Sequence, residues 1–185
     1  MKQNESIVMY VLRLAGTLLL ICAVTAGLLA GVNAITAPII AELNAAATQE
    51  AISAVLPGGF DSEITDYADA SGIVSKVYQG EAGYALEVGP GGFDNTITMM
   101  VGVANEGKVL GISIVNHTET AGLGAVADAD TPKGIAFREQ IIGTSGDLAV
   151  TKDGGEMDAI TGATITSRAI CVGVNAALEC VAAMG

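Results

Sequence analysis

The chain has no tryptophan, three cysteines and one histidine in 185 residues. Each scarcity excludes something. Cys22 lies in an apolar run, while Cys171 and Cys180 stand in the final helical stretch. Nine residues apart on one helix, the latter two would sit on opposite faces about 13 Å apart and cannot bridge each other. No CxxC occurs, and His117 is alone. The chain by itself therefore cannot supply a conventional four-ligand zinc or iron–sulfur site. Any redox chemistry must come from an organic cofactor. Basic residues are scarce too: eight Lys and Arg against 20 Asp and Glu, a formal charge of −12. Such a surface repels nucleic-acid phosphates and anionic headgroups, which argues against a nucleic-acid partner.

Charge of either sign is missing between Arg13 and Glu42. The centre of that gap, LAGTLLLICAVTAGLLAGV (14–32), makes about 28 Å of helix, close to the hydrocarbon thickness of a bilayer. A secretory signal has a shorter apolar core, and Val32-Asn33-Ala34 only loosely resembles a cleavage site. Length favours an uncleaved anchor, a transmembrane helix over 14–35. Lys2 and Arg13 precede the span, and the first basic residue after it is Lys76. The positive-inside rule then keeps residues 1–13 in the cytoplasm and exports the rest. From Thr36 onward there are 19 acidic and 6 basic residues, a formal charge of −13.

After the span, APIIAELNAAATQEAISAVL (37–56) reads as a helix leaving the membrane, ended by Pro57-Gly58-Gly59. We take 36–60 as a juxtamembrane helical linker. IVSKVYQ, GYALEV, TITMMVGV and KVLGISIV then form short β-branched runs separated by glycine-containing turns. Asn105-Glu106-Gly107 joins the last two into a hairpin. A short helix is predicted around FREQIIG (137–143). A final helix is predicted from Ser167, with Ile170, Val174, Ala177 and Val181 on one face and Arg168, Asn175 and Glu179 on the other. An α+β domain over 61–185 follows, with an amphipathic helix lying on a mainly antiparallel sheet.

Two loops stand out. HTETAGLGAVADAD (117–130) contains Gly122-x-Gly124-x-x-Ala127, formally a dinucleotide fingerprint. Its context fails, because an acidic run and Pro132 follow where a long helix is needed. The glycines suit tight turns, or close backbone approach to a planar ligand beside Thr118, Glu119 and Thr120. TGATITS (161–167) puts four hydroxyls at the entrance of the last helix. Gly162 permits a backbone conformation closed to other residues, and Thr166 or Ser167 is a natural cap. A helix N-terminus also stabilises a phosphate. On spacing alone, a plain cap-and-turn suffices.

Asp158-Ala-Ile-Thr161-Gly162-Ala163-Thr164 closely resembles the Asp-x-x-Ser/Thr-Gly-Ala-Thr flavinylation motif, here continued by Ile165, Thr166 and Ser167. The motif belongs to the FMN-binding domain shared by the G subunit of the Rnf complex and the C subunit of the sodium-pumping NADH:quinone reductase. HTETAGLG resembles the same family's His-x-Glu-Thr-Pro-Gly-Leu-Gly, with Ala121 in place of proline. GYALEV, MMVGV and FREQI fall where the family has similar segments, and the length resembles that of the Rnf member.

The resemblance implies a single transmembrane helix followed by one extracytoplasmic FMN-binding domain. It implies that a flavin transferase moves FMN from FAD onto Thr164 as a phosphoester, with Asp158 helping to present the threonine or capping a turn. It further implies flavin contacts from Glu119, Thr120, Gly122, Leu123 and Gly124, with Thr161, Gly162 and Ala163 in the attachment loop. Thr166 and Ser167 would hold the phosphate. The expected role is electron transfer in a membrane ferredoxin:NAD⁺ oxidoreductase coupled to Na⁺ or H⁺ translocation, beside other integral-membrane, flavin and iron–sulfur subunits. The rivals are another exported flavinylated electron carrier and a non-redox anchored scaffold.

Overall fold

The computed structural model describes residues 2–184, with side chains described from residue 9 onward. The side chain of Lys2, used in the orientation argument, lies outside the described residues. The chain divides into two compact units, one up to Ala46 and one from Ala47 to Gly185.

Helix α1 runs unbroken over Lys2–Val55, with Pro38 inside it. In the first unit its apolar side chains face outward; Leu19 is 72% exposed and Leu29 71%. Thr17, Thr25 and Thr36 donate their hydroxyls back to the carbonyls of Leu14, Ile21 and Val32 on the same helix. A helix that meets its own polar groups and shows apolar side chains all round suits a hydrocarbon surrounding. From Met9 onward it is long and apolar enough to cross a membrane.

The second unit starts earlier than the 61–185 boundary. Ala51, Ile52, Val55 and Leu56 are buried against Tyr78, Ala85 and Met100. Loosely spaced alanines read as a linker in sequence, yet its four apolar positions between 51 and 56 form one face of the domain core.

The sheet is a five-stranded antiparallel meander in chain order: β1 Ser62–Ile64, β2 Val74–Gly80, β3 Gly83–Val88, β4 Thr98–Ala104 and β5 Val109–Asn116. The expected β4–β5 hairpin forms at Asn105-Glu106-Gly107, where Gly107 N donates to the Ala104 carbonyl at 2.9 Å. With neighbouring strands antiparallel throughout, the described residues form no parallel βαβ unit of the kind a dinucleotide fingerprint serves. Both sheet faces are covered. Met100 and Ala85 meet the end of α1, while Leu86, Val88, Met99 and Val101 meet the final helix. Burial on both sides explains why β4 reads as a continuous apolar run rather than an alternation.

Three local expectations need correction. The short helix is α2, Pro132–Glu139, not 137–143. Thr131 caps it by accepting from Gly134 N at 3.2 Å, and Pro132 takes the first turn, where a missing N–H costs nothing. Phe137 is buried within it, and Ile141 is buried just beyond its end. The last helix, α3, spans Thr164–Met184 and begins three residues before Ser167. Strand β1 is short and half exposed, so it carries no sequence pattern. On α3 the Ile170, Val174, Ala177 and Val181 face is buried as expected. Asn175 is not simply solvent-facing: its amide bonds both N and O of Leu148, holding the loop before residue 150.

Candidate functional site

Four segments meet at one end of α3. They are the turn at Phe93, the loop after β5, a short 3-10 turn at Thr151–Asp153, and the start of α3. They enclose a cleft of about 290 Å³. Its wall includes Glu119, Thr120, Leu123, Gly124, Gly162, Ala163, Thr164 and Thr166, so two loops some 40 residues apart in sequence are brought together. Gly122, Asp158 and Thr161 instead face an adjoining cleft of about 420 Å³ beside α2. Ser167 lines neither and is fully buried.

Glu119 organises the cleft from within. The residue is 7% exposed. Its carboxylate accepts from Phe93 N at 2.8 Å and from the Thr166 hydroxyl at 2.5 Å. One anion thus ties the 93 turn to the first turn of α3, at charge-assisted strength. Its own N–H donates to Nδ1 of His117 at 3.2 Å, and Nε2 of the same ring faces Asp128 at 3.8 Å. Gly124 makes room for this pair. A Cβ there would stand 2.7 Å from the Thr166 hydroxyl oxygen and closer still to the Glu119 carboxylate.

The hydroxyls of TGATITS have separate tasks. Thr166 is spent on Glu119. Ser167 accepts from Ile160 N at 3.0 Å and donates to the Ala163 carbonyl at 3.0 Å, locking the preceding turn to the helix. Neither is a free cap or a free phosphate ligand, because the helix begins at Thr164 and carries both side chains inward. Gly162 makes the turn with φ +81°, a conformation that disfavours any side chain. Thr164, half-buried at the cleft wall, takes a hydrogen bond from Lys152 Nζ at 3.3 Å.

Lys152, Phe93 and Ile165 line the cleft without having been singled out in sequence. Phe93 is 66% and Ile165 49% exposed, giving the mouth an apolar rim. The signal that could have found Lys152 is the TKDGG run, a basic residue in an acidic loop just ahead of the motif. Asp153, next to Lys152, accepts from Arg168 of α3 at 2.5 and 2.6 Å. The guanidinium holds the Asp153 carboxyl below its ordinary range, and the carboxylate in turn raises Arg168. Asp158 is placed through its backbone, its N–H donating to Gln140 Oε1 at 2.7 Å.

Chemically, the site offers one half-buried hydroxyl at a helix N-terminus, one ammonium beside it, and apolar walls. That set suits an anionic group with an apolar body. Comparison with known proteins agrees. Residues 92–179 match the family model of the FMN-binding domain, and residues 1–55 match that of the RnfG N-terminal region. The G subunit of the ion-translocating oxidoreductase complex of Methanosarcina acetivorans is 30% identical over 178 residues, covering 90% of this chain and 92% of that one.

The chain belongs to the RnfG family.

Other members include the G subunit of the Na⁺-translocating ferredoxin:NAD⁺ oxidoreductase complex of Acetobacterium woodii, 34% identical over 146 residues, 68% of this chain and 69% of that one. The G subunit of the ion-translocating oxidoreductase complex of Vibrio cholerae serotype O1 is 39% identical over 95 residues. That match spans 50% of this chain but only 46% of the Vibrio protein, so the chain covers less than half the length of such RnfG relatives. The whole cleft of about 290 Å³, Phe93 included, lies inside the stretch matched to the FMN-binding domain. The residues present are compatible with FMN, which joins an anionic end to an apolar ring: the wall combines a hydroxyl, an ammonium and the apolar Leu123, Ile165 and Phe93.

Proposed function

We propose that this chain is an electron-transfer subunit of a membrane-bound ferredoxin:NAD⁺ oxidoreductase that couples electron flow to Na⁺ or H⁺ translocation, and that it carries FMN as a phosphoester on Thr164. The observation that carries the reading is the placement of Thr164. Its hydroxyl stands at the cleft wall, at the first residue of a 21-residue helix, with the Lys152 ammonium 3.3 Å away. A helix N-terminus and a cation both favour an anion at that oxygen.

Threonine Oγ is a poor nucleophile unaided, and none of the residues lining the cleft is a histidine. A flavin transferase must therefore activate it. Thr164 Oγ forms the new bond to the flavin-side phosphorus of FAD, the pyrophosphate bond breaks, AMP leaves, and the transferase takes the hydroxyl proton. FMN, once bound, supplies the electron chemistry, while this chain binds, orients and shields it. Glu119 fixes the first turn of α3 and the Phe93 turn. Leu123 and Ile165, both in the cleft wall, would give a flavin ring an apolar contact.

The NAD and iron–sulfur sites of the complex would lie on other subunits; the Acetobacterium woodii relative is named as one subunit of a ferredoxin:NAD⁺ oxidoreductase complex. We place α1 across the membrane with residues 1–13 cytoplasmic and the flavin domain outside. Covalent attachment suits that compartment, where a dissociated FMN would be lost by dilution.

The decisive test is mass spectrometry of the peptide spanning 153–168 from the native host. The expected result is a flavin phosphate on Thr164, absent in Thr164→Val. An unmodified peptide from a flavinylation-competent host, or label persisting in the variant, overturns the reading.

A further inference from the structure

We propose, resting on Thr164 as the attachment point, that Lys152 is the counter-charge of the phosphoryl group carried there and that the Asp153–Arg168 ion pair holds it in position. Lys152 is the one cation among the described residues lining the cleft. Its Nζ lies 3.3 Å from Thr164 Oγ1, so phosphorus bonded to that oxygen brings its non-ester oxygens within reach of the ammonium. Meanwhile the ammonium is poorly used. It donates to a neutral hydroxyl, and among the described ion pairs none includes Lys152.

The neighbouring carboxylate leaves the ammonium without a direct ion-pair contact among the described residues. Asp153 follows Lys152 directly and could have neutralised it. Arg168 instead takes both Asp153 oxygens, at 2.5 and 2.6 Å, from one helical turn beyond Thr164. The pair thus fastens the 3-10 turn Thr151–Asp153 to α3 and engages the nearest competing anion through hydrogen bonds, leaving Lys152 only the weaker charge–charge attraction to Asp153. Ser167 fastens the other side of the same corner through Ile160 N and the Ala163 carbonyl. The result is an ammonium positioned before any phosphate arrives. In a domain with 19 acidic and 6 basic residues from Thr36 onward, an incoming anion otherwise meets repulsion, so a fixed local cation matters more than on a neutral surface.

The test uses the full-length chain, purified in detergent from cells lacking flavin transferase, then incubated with FAD and purified transferase. Intact-mass spectrometry reads the rate and final extent of flavin attachment. Lys152→Met keeps length and removes charge, Lys152→Arg keeps charge, and Lys108→Met removes a charge outside the cleft. Lys152→Met is expected to slow attachment about three- to tenfold. Lys152→Arg should recover most of the rate, and Lys108→Met should match the parent. The parent rate should fall with added salt more steeply than that of Lys152→Met.

Equal rates for Lys152→Met and the parent overturn the inference. So does equal slowing by Lys152→Met and Lys108→Met, which would assign the effect to net charge. A parent chain that takes up no flavin removes the attachment reading itself, and this inference with it.

Discussion

Glu119 is the side chain on which the cleft depends. Replacing it with alanine leaves the buried Thr166 hydroxyl and the part-buried Phe93 N–H without their acceptor. A loss of about 3 kcal/mol of domain stability is expected, read as a lowered denaturation midpoint. Gly124→Ala should act on the same pair by steric pressure, since its Cβ meets both partners. At this scale the sequence was half legible. The two loops announced themselves by their motifs, and eight of the eleven residues assigned to the cofactor line one cleft: Glu119, Thr120, Leu123, Gly124, Gly162, Ala163, Thr164 and Thr166. Hydroxyl direction was not legible. Starting α3 three residues earlier rotates Thr166 and Ser167 from the surface to the interior, and motif spacing does not report that start. Phe93 and Lys152 come from turns with no pattern of their own, and only tertiary closure puts them beside Thr164.

Among the elements, α2 rests on its cap. Thr131→Ala should cost about 1 kcal/mol, measurable as a shift in thermal midpoint. The Thr131-Pro132 pair was the better guide to this helix than its apolar residues, because a cap fixes a start while periodicity fixes only a face. Helix α3 is buried well beyond one stripe, with Cys171 and Cys180 covered nearly as fully as Ile170. Burial pushes the Cys171 thiol from its ordinary 9.0 up to about 11. Its folded value exceeds its unfolded one. Below pH 9 both states hold the proton and nothing is lost. Between 9 and 11 the unfolded chain ionises and the folded one does not. Stability should therefore fall as pH rises through that window, and less steeply in Cys171→Ser. Chemical denaturation at a series of alkaline pH values measures the slope. The strands were readable as separate β-branched runs, but the second covered face was not. It is supplied by residues 51–56, whose alanine-rich context hides four core positions.

Across the whole molecule, the boundary of the domain is a matter of stability rather than of composition. A chain beginning at Ala47 retains Ile52, Val55 and Leu56, each at most 2% exposed. One beginning at residue 61 loses all three. Each such truncation to alanine in a core costs about 2–5 kcal/mol, and together they rival the total stability of an ordinary domain, about 5–15 kcal/mol. The first chain should be soluble with a cooperative melt, and the second should aggregate or melt without cooperativity. The meander has a further consequence, for the order of assembly. Each strand pairs with the one made just before it, so the contacts of the sheet are local and it can form progressively as the chain emerges. Helix α3 follows the sheet along the chain, fills one core face and begins with Thr164. The cleft is complete only when the 21 residues of α3 have docked. Attachment at Thr164 would then report a finished domain, and pulse-labelling should find flavin on protease-resistant chains alone.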